Sequence, residues 1–315
     1  MSDLMLVDRL PIDQNPAAVY LSGKSKSGRI ALEKSLANVA DWLIGVPDPF
    51  AVNWAALRFQ HVNAIKTRMQ ESETPPYKPA TINKYLCAIR GTLKAAYQLD
   101  QISLEDYHKA KSIDGLKVDN LPAGRALSIG EVKALLNTCA SDPTSAGARD
   151  ASIISLLYAA GLRRAEIVSI NLEDYNAEDG SLIVTGKGNK QRIVYILNGN
   201  RMALDDWLQV RGNEPGPLYV PINKSGALQT GELSHQAIYK LLRKRAAQAN
   251  VPSFSPHDLR RSFISEMLDQ GNDLSIVADL AGHKNVSTTA RYDRRGEAAK
   301  KAAADRLFVP YSGRE

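Results

Sequence analysis

The chain has 315 residues, 44% of them hydrophobic and 23% charged, with 40 Lys and Arg against 34 Asp and Glu for a net charge of +6. This length accommodates two ordinary domains, each with its own core. No apolar stretch is long enough to span a bilayer and the N-terminus lacks a basic-then-apolar signal, which argues against a membrane-spanning helix and predicts a cytoplasmic protein.

The basic balance favours an anionic partner, of which nucleic acid is the commonest, and basic residues are spread through both halves rather than gathered in a tail. The first part of the chain reads helical. Pro16 starts a short helix through Tyr20, and Ile30, Leu32, Leu36, Val39 and Leu43 mark a second. A third covers Val62 to Met69. The clearest runs from Ala80 to Gln98, with Ile82, Leu86, Ile89 and Leu93 on one stripe and Lys84, Arg90 and Lys94 largely opposite. That charged face reads either as solvated or as a contact for DNA backbone phosphates. Periodicity lapses from Ser112 to Arg125, where Gly115, Pro122 and Gly124 suggest an interdomain linker.

A second domain begins near Leu127. Ser128 with Glu131 three residues on is a capping box, followed by Val132, Leu135, Leu136 and Cys139. Cys87 and Cys139 fall on different predicted helices and are expected as reduced core residues. The apolar segment Ile153 to Ala160 breaks at Gly161, so Arg163 opens the next helix of a corner. Ser181 to Val184 and Arg192 to Leu197 read as a hairpin around a glycine-rich turn holding Lys187, and Leu218 to Val220 as a third short strand. Helices resume at Ser234 to Ala247, His257 to Leu268 and Leu274 to Ala281. Tyr292 follows a helix start capped by Ser287, and Asp293 to Leu307 contains a last helix. Neither internal repeats nor low-complexity segments interrupt this pattern.

Arginines, histidines, a lysine and a tyrosine in these positions suit attack on a phosphodiester. Guanidinium forks match phosphoryl oxygens, and a tyrosine can hold a phosphate covalently. Taken singly each residue is ambiguous. Arg163 or Arg164 can simply pair with Glu166; His257 shares a helix face with both Arg260 and Arg261; Lys187 sits in a loop with good turn chemistry. His283 follows Gly282 at a helix C-cap, a place from which a ring reaches a cleft. The sequence lacks a clear cluster of carboxylates for paired magnesium ions, which argues against two-metal cleavage.

The order of these motifs is more specific than any one of them. Gly161-Leu162-Arg163, Gly186-Lys187-Gly188, His257-Asp258-Leu259-Arg260, Gly282-His283 and then Tyr292 resemble the tyrosine recombinase family of phage-type integrases and Xer-like site-specific recombinases. The resemblance covers about residues 127–307 and, more loosely, the helical first part. A departure is Ala165, where many relatives carry serine before the glutamate.

The resemblance implies a mainly α fold with a small β-sheet. A helical core-binding (SAM-like) DNA-binding domain would occupy residues 1–111, a linker 112–126, and a tyrosine-recombinase catalytic domain with a C-terminal helix and tail 127–315. It implies Tyr292 as nucleophile, Arg163 and Arg260 on the non-bridging oxygens, Lys187 as acid to the departing 5′ oxygen, His257 assisting proton transfer and His283 bonding the phosphate. No cofactor, metal or ATP is implied, because the bond energy is kept in a 3′-phosphotyrosyl link. The implied partner is duplex DNA with paired core sites, engaged by a homotetramer in the synaptic complex that is a monomer when free. The last helix and Leu307-Phe308-Val309 would dock on a neighbouring protomer or pack back on their own domain. Two other readings use the same residues: a type IB topoisomerase-like nicking and closing enzyme, and a DNA-binding regulator with an inactive site.

Overall fold

The structure is a computed structural model that describes residues 4–5, 8–72, 76–117, 124–186, 188–293, 296, 301, 304–305 and 310–311. The chain divides into two compact units, Met1–Leu121 and Pro122–Glu315. Among the described residues no helix is long and apolar enough to cross a membrane.

The first unit is helical, with α1 (Pro16–Ser22), α2 (Lys26–Ile44), α3 (Phe59–Gln70), α4 (Pro79–Gln98) and α5 (Leu104–Lys111). Asn15 and Ser25 accept the first backbone N–H groups of α1 and α2, and Pro79 sits at the first turn of α4, where its missing donor removes no helical bond. The stripe Ile82, Leu86, Ile89 and Leu93 is buried as its spacing predicts, against Leu36, Val39, Trp54 and Ile65. Ile30 stands apart from its expected stripe: it is 62% exposed, on the outer face of α2.

Three further features of this unit add to or differ from the sequence expectations. α5 was not anticipated, although Ser103 caps it by accepting from Asp106 N at 3.1 Å; Tyr107 and Ala110 are its buried face. Ile113, expected in the linker, is buried in the first core, and Asn83 bonds both the N–H and the carbonyl of Leu116. A polar, glycine-bearing stretch thus packs because a side-chain amide satisfies its backbone. Cys87 is exposed on α4, while Cys139 is buried, its thiol pushed up to about 12 by burial; both are free.

The second unit contains α6 (Ile129–Ala140), α7 (Ser145–Ala159), α8 (Arg164–Ser169), strands β1 (Ser181–Thr185) and β2 (Gln191–Tyr195), α9 (Asn198–Arg211), α10 (His235–Gln248), α11 (Pro256–Asp269), α12 (Leu274–Ala281) and α13 (Val286–Ala290). Ser128 and Glu131 close the capping box that starts α6. The strands form an antiparallel pair in which Ser181 faces Tyr195 and Thr185 faces Gln191. Residues 218–220 are a buried loop rather than a third strand. Leu218 N–H donates to Ile170 O and Tyr219 O accepts from Leu233 N–H, so successive backbone groups find different loops instead of one ladder. Apolarity without alternation marked burial there, not pairing.

α9 was also not anticipated, because Asn198-Gly199-Asn200 reads as a turn and Asn198 does take a positive φ of 54°. Its Leu204 and Trp207 are nonetheless fully buried beside α7, and Trp207 Nε1 donates to Leu218 O at 2.8 Å. β2 accordingly stops at Tyr195, and Leu197 is the residue preceding α9. The cap of α13 is Asn285, which accepts from Ser287 N at 3.0 Å, rather than Ser287 itself. The expected last helix and the patch Leu307-Phe308-Val309 lie mostly outside the described residues.

Candidate active site

Three helices and one corner of the second unit bring the sequence-predicted residues together. Leu259 and Ile264 bury the inner face of α11. Arg260 then reaches the end of α12, while His257 and Arg261 face Tyr292. At the α7–α8 corner, Gly161 takes φ 58°, and a side-chain carbon there would stand 2.3 Å from the Phe263 ring. Only glycine lets the corner press against α11 while its carbonyl faces Arg260. Arg163 then precedes α8, with its backbone N–H donating to Glu166 Oε2 at 2.9 Å.

The C-terminus of α12 is where these parts meet. A helix end leaves its last carbonyls without helical partners and carries partial negative charge. Here three successive carbonyls each accept from a different arginine. Leu280 O takes Arg192 Nε at 2.9 Å, Ala281 O takes Arg260 Nη2, and Gly282 O takes Arg163 Nη2 at 2.8 Å. Gly282 caps the helix in the left-handed conformation at φ 63°, which turns the chain so that His283 enters the same site. Arg260 also donates to Gly161 O at 2.6 Å.

Glu166, only 3% exposed, answers part of this charge. It bonds Arg163 Nη1 at 2.6 Å and Arg192 through both oxygens, at 3.1 and 2.9 Å. Burial pushes its proton affinity up, but Arg192 and Arg163 outweigh that and hold the carboxyl below its ordinary value, hence ionised. The alternative raised by the sequence, an Arg163–Glu166 pair, is therefore real. It does not exhaust Arg163, whose side chain remains 38% exposed.

Tyr292 packs on the cluster of Phe263, Ile264 and Val277, and its Oη lies 3.3 Å from His257 Nε2. The Arg261 guanidinium sits 5.5 Å over its ring, and Arg261 Nη1 also donates to Gly124 O at 2.8 Å. The two α11 arginines, which spacing left equivalent, are thus divided. Arg260 is buried among carbonyls, and Arg261 lies beside the tyrosine ring. His283 stacks at 6.5 Å from the Tyr292 ring, and its Nδ1 meets Thr289 Oγ1 at 2.7 Å.

Both histidines hold protons weakly. Burial first, then Arg260 and Arg261, lower His257; burial, then Arg260, Arg163, His257 and Arg192, bring His283 down to about 4. Both rings are neutral at pH 7, so one nitrogen of the His257 ring is open to a proton, and Nε2 is the one that faces Tyr292 Oη. Burial and the neighbouring Arg163 lower Arg260 to about 9, which leaves it charged at neutral pH.

Lys187 lies outside the described residues. Of the three cations on α4, Lys84 and Lys94 are exposed, with Lys84 Nζ 5.5 Å over the Tyr85 ring. Arg90 is half-buried and donates to Ile113 O. Sequence reasoning missed Arg192 and Thr289. No motif marks them, and Arg192 is separated from Glu166 by the whole of β1 and the hairpin turn.

A match to the phage integrase family covers residues 125–298, more than half of the chain. The chain belongs to the phage integrase family. Relatives include a tyrosine recombinase XerC of Vibrio campbellii, 37% identical over 174 residues that make up 54% of this chain and 54% of that protein. The XerC of Alcanivorax borkumensis is 34% identical over 173 residues, 53% of this chain and 55% of that protein. The chain thus spans about half the length of the curated relatives it matches.

Solved structures extend the likeness in fold. A XerH site-specific recombinase in a post-cleavage complex with palindromic difH substrate gives a TM-score of 0.64 at 18% identity, over 97% of this chain and 99% of that one. A lambda integrase dimer bound to a COC′ core site also gives 0.64, at 15% identity over 99% and 81% of the two chains. The mainly helical fold with its small sheet is therefore that of the family.

Proposed function

We propose that this protein is a site-specific DNA recombinase that cleaves and rejoins duplex DNA through a 3′-phosphotyrosyl intermediate. The observation that carries the reading is the position of Tyr292 Oη beside the neutral His257 ring and at the end of α12 where Arg163 and Arg260 gather. Tyr292 Oη attacks the scissile phosphorus and its proton passes to His257 Nε2. The bond to the 5′ oxygen breaks, and Lys187 gives that oxygen a proton. Arg163 and Arg260 each use two N–H groups on protein acceptors, which fixes their planes and leaves the others for the non-bridging oxygens. Donors held in place before the reaction stabilise developing charge without reorganising. His283, with Nδ1 tied to Thr289, directs its other ring nitrogen to the phosphate. Attack by a 5′-hydroxyl reverses the steps, so neither ATP nor a metal is required.

We further infer that the second unit is the catalytic domain and the first a core-type DNA-binding domain presenting Lys84 and Lys94. Two DNA sites would be engaged by a homotetramer in the cytoplasm. The DNA-binding part of this reading is supported by the related folds, a XerH bound to difH substrate and a lambda integrase dimer on a core site.

The test is a covalent adduct. Duplexes selected for binding from a random pool are nicked so that the cleaved end diffuses away, and incubated with the protein in chelator. The adduct should form and be abolished by Tyr292→Phe with binding nearly intact. An equal yield from Tyr292→Phe would reject the reading. Relaxation of supercoils by a monomer without specific sites would instead identify a nicking and closing enzyme.

A further inference from the structure

Of the three arginines seen to donate to the end of α12, Arg192 is not used by the proposed chemistry. It sits on β2 with its side chain 13% exposed, and all three of its nitrogens donate. Two of them grip both oxygens of Glu166, the carboxylate that also holds Arg163 Nη1. The third takes Leu280 O, two residues before Gly282 and three before His283. The approach is close: a side-chain carbon on Gly282 would stand 3.0 Å from Arg192 Nη1. A third cation is costly here, because it repels Arg163 and Arg260 in a buried setting. A surface-seeking arginine would leave; this one is held by three acceptors, two of them the oxygens of the carboxylate that also holds Arg163 and the third a carbonyl at the end of α12.

We propose that Arg192 is a positioning residue, which fixes Glu166 and the end of α12 relative to each other and so holds Arg163 and His283 in register on the scissile phosphate. The proposal rests on the recombinase reading of the same site. Its logic is geometric. Glu166 alone can swing about its own side chain, taking Arg163 Nη1 with it. A bidentate guanidinium anchored to the backbone at Leu280 removes that freedom. Lysine at this position, a point charge, keeps the ion pair but not the two-pronged geometry.

The experiment compares single-turnover adduct formation by the full-length protein, Arg192→Gln and Arg192→Lys on two nicked duplexes of one sequence. One carries a normal scissile phosphate; the other a methylphosphonate, in which a methyl group replaces a non-bridging oxygen and removes the charge that Arg163 meets. Melting curves establish that each variant is folded, and Arg192→Lys carries the comparison if Arg192→Gln is not. On the phosphodiester, Arg192→Gln should fall by about a hundredfold, the scale expected when an aligned group shifts by an ångström, with Arg192→Lys between it and wild type. On the methylphosphonate the gap to wild type should shrink to a few-fold. The same deficit on both substrates in a folded variant, or no deficit on the phosphodiester, overturns the proposal. Failure of the wild-type chain to form any adduct rejects the recombinase reading itself, and is told apart by occurring without a mutation.

Discussion

The second unit gathers two groups of arginines and treats them in opposite ways. In the first, Arg245, fully buried on α10, has Nε 2.8 Å from Asp150 Oδ2 and Nη2 2.8 Å from Asp142 Oδ2. Arg149 completes it through Asp150 Oδ1 at 2.9 Å. Two cations meet two carboxylates, and the charge closes on itself. In the second, at the end of α12, Arg163, Arg192 and Arg260 meet one paired carboxylate among the described residues, Glu166, and are otherwise held by carbonyls. Carbonyl dipoles satisfy the N–H groups but cancel no charge. A balanced cluster ties helices together; an unbalanced one in a pocket of neutral histidines is prepared for an anion that arrives later.

The contrast breaks most sharply at Arg245. Arg245→Ala leaves Asp150, 3% exposed, without its partner on α10, and removal of one member of a buried pair costs about 3–5 kcal/mol. Denaturant unfolding should show that loss, while the folded fraction still forms adduct at the wild-type rate. Arg260→Gln should behave in the reverse manner. Adduct formation should drop by about 10²–10³, the range for losing one charge-stabilising donor set. Stability should fall by no more than the about 1–3 kcal/mol of an unsatisfied buried acceptor, here Gly161 O or Ala281 O. If the two variants show the same balance of stability and activity losses, the distinction between the clusters is wrong.

Much of this difference was legible only in part. The residues that the proposed chemistry uses lie in short motifs, so Arg163, His257, Arg260, His283 and Tyr292 could be picked out and placed near helix starts and caps. Local signals of the same kind gave the Ser128 box, the α4 stripe and the hairpin, each set by residues within a few positions of one another. What holds the site together is not local. Glu166 with Arg192, and Leu280 O with the same guanidinium, join segments far apart in sequence, and a carbonyl acceptor leaves no trace in a residue string. α9 was hidden for a different reason: Asn198-Gly199-Asn200 has turn composition, and tertiary burial of Leu204 and Trp207 overrides it. Residues 218–220 failed in the opposite sense, since an apolar run reports burial and not hydrogen-bond pattern.

The smallest expected effect is a pH dependence that only the unbalanced cluster should show. His283 falls to about 4 through burial and the charges of Arg260, Arg163 and Arg192, with neutral His257 also adjacent and Glu166 the carboxylate bonded to two of those arginines. Its unfolded value is that of an ordinary histidine, about 6.5. Between these values the unfolded chain takes up a proton that the folded chain refuses, so stability declines as pH falls through 6.5 and goes on declining to about 4. His283→Asn keeps a polar group near Thr289 but does not titrate. Melting curves from pH 7.5 to 4.5 should therefore be less steep in pH for this variant than for the wild-type protein. A bound anion offers a sharper form of the same test. Inorganic phosphate that settles among the three guanidinium groups would raise the proton affinity of His283 and flatten the wild-type slope more than that of His283→Asn, in which His257 alone of the two rings responds. Parallel slopes in all four curves would mean that the positive charge at the end of α12 is screened from the ring, and the reading of that helix end as an anion seat would fail with it.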